Sequence, residues 1–203
     1  MNAQVPKTHT GDNQMKKTLD AINVLYPTPT VLAGATVNGR PNFITIAHIG
    51  IVNHARPHLI SLSMGKSHYT NAGIKEHKAF SVNIPSEDLV VETDYAGLVS
   101  GKKTDKSALF ETFTGELEFA PLIKACPLNM ACRLYDIYDT PTHDLFIGEI
   151  VQTYADESVL TGGKVDLAKL KPLLFDMSSA KYWSLGKVVA GCWSSGKQLK
   201  TKG

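Results

Sequence analysis

The chain of 203 residues reads as a mainly β (α+β) protein, a single β-barrel domain with helices at its periphery. Three observations carry that reading. Asn38-Gly39 stands between two apolar, β-branched runs, which is a strong hairpin signal. Two further β-rich stretches, Leu128 to Asp139 and Leu145 to Tyr154, are joined by the turn-like Thr140-Pro-Thr-His143. Helical patterns are short and fall in the connections.

Each element follows in order. Met15 to Ile22 predicts a short helix, with Leu19 and Ile22 near one face. Tyr26-Pro-Thr-Pro-Thr30 is extended, because each proline pushes its predecessor out of the α region. Thr30 to Val37 is a strand ending at the hairpin turn. The return strand is predicted unbroken from Phe43 to Val52, apolar enough to be covered on both faces. His58 to Met64 and Ala79 to Ile84 follow as strands. A helix begins between Ser67 and Thr70 and runs to about Lys78. A second starts at Ser86, where Glu87 and Asp88 suit a first turn, and stops between Gly97 and Gly101. Val165 to Phe175 has apolar residues at 167, 170, 173 and 174, a short helix broken by Pro172.

Composition narrows the partners. Hydrophobic residues at 43% and charged residues at 20% are ordinary for a globular chain. A formal charge of +2 creates no strong field for nucleic acid or an anionic membrane. Cys126, Cys132 and Cys192 form an odd set without a Cys-x-x-Cys pair, so neither a disulfide framework nor a metal site is expected. Met1 to Asn13 lacks the apolar core of a signal peptide, and no apolar run approaches the roughly 20 residues that span a bilayer. The expectation is a cytoplasmic protein: a flexible arm over 1–14, one domain over 15–196 and a basic tail over 197–203.

The informative stretch is strand, turn, helix: His58-Leu-Ile-Ser61-Leu-Ser63-Met-Gly65-Lys66-Ser67-His68-Tyr69-Thr70. A turn feeding a helix start presents unpaired backbone N–H groups and the positive end of a dipole, an anion site to which a lysine and hydroxyls add donors. Gly65-Lys66-Ser67 is not a nucleotide P-loop, since position 60 is isoleucine where that loop needs glycine. The residues alone fit an ordinary capped helix with a solvated lysine somewhat better.

The wider pattern closely resembles flavin reductase-like FMN-binding proteins, especially the flavoredoxin branch. The resemblance rests on Asn38-Gly-Arg-Pro-Asn42-Phe43-Ile-Thr45-Ile46-Ala47, Ser61-Leu-Ser63, Lys66-Ser67-x-Tyr69-Thr70, Phe80-Ser-Val-Asn83-Ile-Pro85, Glu92-Thr-Asp94-Tyr95-x-Gly97 and His143-Asp-Leu-Phe-Ile-Gly148. It implies a homodimeric Greek-key split barrel binding FMN. By motif position, Asn42, Phe43, Thr45, Ile46 and Ala47 would line the isoalloxazine edge. Ser61, Ser63, Lys66, Ser67, His68, Tyr69 and Thr70 would hold the ribityl chain and phosphate, and Asn83 would close the pocket. Similar proteins commonly carry arginine at the positions of Gly65 and His68, so His68 is expected to assist the phosphate when protonated, with FMN affinity falling as pH rises through its pKa.

His143 follows a tight turn and resembles a histidine that sits beside the flavin face. It is expected to position a nicotinamide rather than act as an acid, since hydride transfer needs none. No Gly-x-Gly-x-x-Gly fingerprint exists, so NADH or NADPH would bind transiently on the flavin itself. The expected function is NAD(P)H-dependent flavin reduction. Its rival is an FMN electron carrier that docks with a partner redox protein. Trp183, Trp193 and Tyr182 are expected in packing or dimer contact, and Glu92, Asp94 and Asp105 as surface or capping groups.

Overall fold

Asn38 and Gly39 both take left-handed backbone, with φ of 50° and 73°, in the computed structural model, which describes residues 16–199. That two-residue turn matches the twist of paired strands. The N-terminal arm and the end of the basic tail lie outside the described residues. The strands before and after the turn are β2 (Val31–Val37) and β3 (Arg40–Ile46), preceded by β1 (Thr28–Pro29). Then come β4 (Ile49–Asn53), β5 (Leu59–Gly65), helix α1 (Thr70–His77), β6 (Ala79–Ile84) and helix α2 (Val90–Leu98). The second half holds β7 (Thr112–Phe113), β8 (Leu122–Ile123), β9 (Leu128–Asp139) and β10 (His143–Ala155). It closes with β11 (Leu160–Thr161), β12 (Lys164–Val165), helix α3 (Leu167–Leu170), β13 (Leu174–Asp176) and β14 (Lys181–Trp183).

Seven strands form one antiparallel sheet in the order β3-β2-β6-β9-β10-β5-β4. The strands at its two edges are consecutive in sequence, linked only by Ala47 and His48. A sheet whose opposite edges are two residues apart has to roll until those edges meet. The link itself extends the β4–β5 ladder, with the Ser63 N–H donating to the His48 carbonyl at 2.9 Å. The result is a Greek-key split β-barrel with peripheral helices, and the split lies at this seam. A separate three-stranded sheet, β1-β13-β14, stands beside it.

The apolar run expected as one strand from Phe43 to Val52 is therefore two strands with different environments. Its first half is buried, with Phe43 at 0% exposure, whereas Ile51 on the edge strand β4 is 78% exposed. The helix expected over 15–22 is absent from the described part: residues 16–27 form no helix, and Leu19 and Ile22 are exposed with nothing to pack on. In the 165–175 segment only Leu167–Leu170 is helical. Asp166 caps it by accepting from the Ala168 N–H at 3.0 Å, and the chain after Pro172 joins β1 as β13.

β2 explains why the barrel holds together. Val31, Ala33 and Ala35 point into the barrel core with Leu62, Met64, Phe80, Val82 and Phe146. Its other face, through Leu32, packs with Phe43, Ala96, Phe110, Ile123 and Cys126 beneath α2. Cys126 and Cys132 are both buried free thiols, and burial pushes the Cys126 pKa up to about 12.

Asn83, expected to close a cofactor pocket, is instead a fully buried structural hub. Its amide donates to the Leu32 carbonyl (3.0 Å) and the Ser81 hydroxyl (2.9 Å); its oxygen accepts from the Ile123 N–H (2.9 Å) and Asn129 (2.9 Å). Replacing Asn83 with leucine orphans several of those partners. The expected cost is about 2–4 kcal/mol, read as a lowered urea midpoint with unchanged slope.

Candidate functional site

The seam opens into a cavity of about 350 Å³. Its floor is the end of β3 and the link, Thr45 to His48. One wall is Ser63, His68 and His143, and antiparallel register places them together: His143 lies opposite Gly65 and Leu145 opposite Ser63. The other wall is Gly97 and Leu98 of α2 with Phe175, Met177 and Tyr182 of the outer sheet. The Tyr182 hydroxyl donates to Asp94 at 3.0 Å, and burial, aided by that carboxylate, pushes its pKa up to about 12. Tyr26 reaches His48 Nε2 at 3.2 Å and packs edge-on against Phe175.

A second, smaller cavity of about 180 Å³ shares His68, Gly97 and Leu98 with the first. It is polar, lined by Asn42, Ser67, Tyr69, Thr70, Ser100 and Lys106. Two hydroxyls of its lining residues accept from side-chain amides. The Asn42 amide donates to Thr70 Oγ1 at 2.7 Å, and the Asn38 amide to the Tyr69 hydroxyl at 2.9 Å. With those lone pairs engaged, each O–H is free to donate outward. Gly101 closes the chamber at close range: a Cβ there would lie 2.3 Å from Asn42 Oδ1 and 2.6 Å from Tyr69 Cδ1, so a larger residue would force those side chains to shift. Together the two chambers suit an elongated ligand with a flat apolar part and an anionic end.

The charges are unevenly committed. Lys66, expected to hold a phosphate, bonds the carboxylate of Asp139 and, at 3.3 Å, that of buried Asp144. Lys75 completes the cluster at 2.7 Å from Asp144, and the two ammonium groups, Lys75 first, hold the Asp144 carboxyl below its ordinary pKa. Lys106 is different. Its ammonium is buried and donates to the carbonyls of Ala96 and Val99 at the end of α2, and burial pushes its pKa down to about 8.

Of the residues singled out from sequence, Thr45, Ile46, Ala47, Ser63, His68 and His143 line the larger cavity, and Asn42, Ser67, His68, Tyr69 and Thr70 the smaller. Four side chains do not. Phe43 is in the core, edge-on to Phe110 at 5.5 Å; Ser61 faces the edge strand, donating to Gly50; Asn83 and Lys66 are engaged as described. Asp94 and Tyr182 line the larger cavity, and Tyr182 also packs against Phe175, its ring 5.6 Å away, as the expected packing role has it. His48, Leu98, Met177 and Lys106 were missed altogether. Lys106 looks like a surface charge in the run Lys102-Lys103-Thr-Asp-Lys106, and only the apolar Ala108-Leu-Phe110 behind it hinted at burial. The His143 ring is free to face the cleft because backbone closes its turn: Thr140 N–H and Oγ1 both donate to the His143 carbonyl.

A rolled sheet with a two-chambered cleft at its seam defines a split-barrel protein with a built ligand site. Residues 24–184 match the flavin reductase like domain, and the chain belongs to that family. It is similar to a flavoredoxin from Methanosarcina acetivorans, with a TM-score of 0.88 and 43% identity over 91% of this chain and 98% of that one. The flavoredoxin of Desulfovibrio vulgaris (Miyazaki F) gives a TM-score of 0.83 at 36% identity, over 90% and 100% of the two chains. A protein of Archaeoglobus fulgidus is 32% identical over 152 residues, 73% of this chain and 84% of its own. These likenesses put the chain in the flavoredoxin branch of the family.

His68 has its pKa lowered from 6.5, first by burial and then by His143 and Lys106, so any protonated contribution to an anion is restricted to acidic pH. In the ligand-free protein the sign is fixed. The unfolded chain binds the proton at the ordinary pKa and the folded one only below it, so stability falls as pH drops through 6.5 and levels off below the folded pKa. Urea midpoints between pH 7.5 and 5 are expected to show His68→Asn removing part of that loss.

Proposed function

We propose that this protein binds FMN across the two chambers and passes reducing equivalents through it, taking hydride from NADH or NADPH. The observation that carries the reading is the pairing of an apolar slot at the seam with a polar chamber of preset donor hydroxyls. Bound FMN would supply the redox chemistry, taking up a hydride and giving it up as two electrons and a proton. The chain's own residues bind, orient and exclude water. Thr45 to Ala47 offer strand backbone to the ring edge, and Leu98 and Met177 cover it. Ser67, Tyr69 and Thr70 donate to the phosphate. The Thr142 hydroxyl lies 2.8 Å from Nδ1 of His143 and steers its ring, which would position a nicotinamide against the flavin.

A second reading is favoured by the similarity to two flavoredoxins: an FMN electron carrier serving a partner redox protein, without a nicotinamide. Either reading works in a homodimer, which we also propose. Ile51 and Val52 of β4 and Tyr135 and Tyr138 of β9 leave apolar surface open on the barrel wall. No described helix is long and apolar enough to cross a membrane.

Two measurements test the proposal. Purified protein given FMN and passed through gel filtration should retain flavin absorbance in a dimer-sized peak. A colourless protein contradicts the FMN reading. The retained complex should then oxidise NADH or NADPH, and His143→Ala should raise the nicotinamide KM about tenfold while leaving FMN affinity within about twofold. Flavin retention without nicotinamide oxidation assigns the carrier role instead.

A further inference from the structure

Resting on the homodimer proposed above, we propose that residues 184–199 form an exchanged C-terminal arm, which lies on the outer face of β9 and β10 in a second copy of this chain. Past β14 the chain has little surface to pack on. Val188, Val189 and Trp193 are 90%, 93% and 90% exposed, and Leu185 and Leu199 are open as well. The segment is nonetheless shaped. It turns at Gly191, whose carbonyl accepts from the Ser194 and Ser195 hydroxyls, and ends in a short 3-10 helix over Ser195–Leu199. Trp193 holds left-handed backbone at φ 57°, a conformation that a bulky residue keeps where its surroundings impose it. Among the described residues, the hydrogen bonds of the segment all stay inside it. A single short turn is marginal by itself, so the surface that imposes this shape lies elsewhere.

The outer face of β9 and β10 has the matching chemistry. Along β10, Asp144, Phe146 and Gly148 take the buried side, so Leu145 and Ile147 take the outer one, where both stay partly exposed. Register sets Leu145 beside Tyr138 of β9, and Ile147 beside Asp136. The open face of an antiparallel sheet is normally polar, whereas this one carries an apolar strip edged by acid. Lys66 occupies Asp139 at that edge, but no ion pair among the described residues includes Asp136. The arm has the opposite sign. From Met177 to Gly203 the sequence holds Lys181, Lys187, Lys197, Lys200 and Lys202, with neither Asp nor Glu. In its own protomer the arm follows α3 instead: Leu185 and Val188 line a groove of about 770 Å³ with Lys164, Leu167 and Lys171, none of them on β9 or β10. Two copies related by a two-fold axis satisfy both needs, since each arm covers the other's strip and the contact closes on itself.

The test is the association of the full chain, read by sedimentation equilibrium. Wild type should be a dimer. Val189→Ser with Trp193→Ser should weaken it at least about tenfold. Asp136→Lys should weaken it too, and adding Lys187→Glu and Lys197→Glu to that variant should restore part of the loss. An equimolar mixture of isotopically heavy and light protein, treated with a zero-length carbodiimide cross-linker, identifies which copy each arm touches. Cross-links that join an arm lysine to Asp136 across unlike labels support the exchange. A dimer as tight as wild type in the arm variant, no restoration by charge reversal, or cross-links confined to like labels would overturn it. A wild type that stays monomeric would instead refute the homodimer reading itself.

Discussion

The two-residue link at Ala47 and His48 governs everything else in this molecule. It joins strands at opposite edges of a seven-stranded sheet, so the sheet cannot lie flat. Rolling solves the edge problem of an open sheet, because most exposed strand edges are consumed in closure. It also leaves a seam between β3 and β4, two strands that do not pair with each other and are bridged by the link itself. The cleft lies at that place. Thr45, Ser63 and His143 meet there because they stand at the ends of β3, β5 and β10, and the same closure that stabilises the barrel brings those ends together.

Buried polar groups divide into two populations. Asn83, Ser81 and Asn129 satisfy one another and nearby backbone, a closed network that fixes the register between β6, β8 and β9. Asp144 with Lys66 and Lys75 is a closed charge cluster of the same kind. The second population is open. Lys106 has an ammonium without a carboxylate, and His68 Nδ1 has no partner. Lys106 and His68 line the smaller chamber, whereas the unpartnered oxygens of Thr28, Asn71, Glu92 and Thr93 lie outside both chambers, so it is the juxtaposition of these two nitrogens that distinguishes the cleft.

Much of the fold could be read from the sequence because its signals are local. Asn38-Gly39 dictates a turn, and the β-rich stretches at 128–139 and 145–154, joined by the turn-like 140–143, point to a pair of strands. The seam could not be read, because Phe43 to Val52 is apolar throughout and nothing in its composition says that half of it will sit on an exposed edge. The site was half legible. Ser67, Tyr69 and Thr70 cluster in sequence beside a helix start, whereas Lys106, Leu98 and Tyr182 arrive through tertiary packing from three other segments. Lys66 misled for the same reason: its partners, Asp139 and Asp144, lie more than 70 residues away.

The most direct test of the account is a crystal structure of the protein with FMN. The account places the isoalloxazine ring against Thr45 to Ala47 with His143 beside it, and the phosphate among Ser67, Tyr69 and Thr70. A flavin bound elsewhere on the barrel, or bound with its phosphate in solvent, would contradict it.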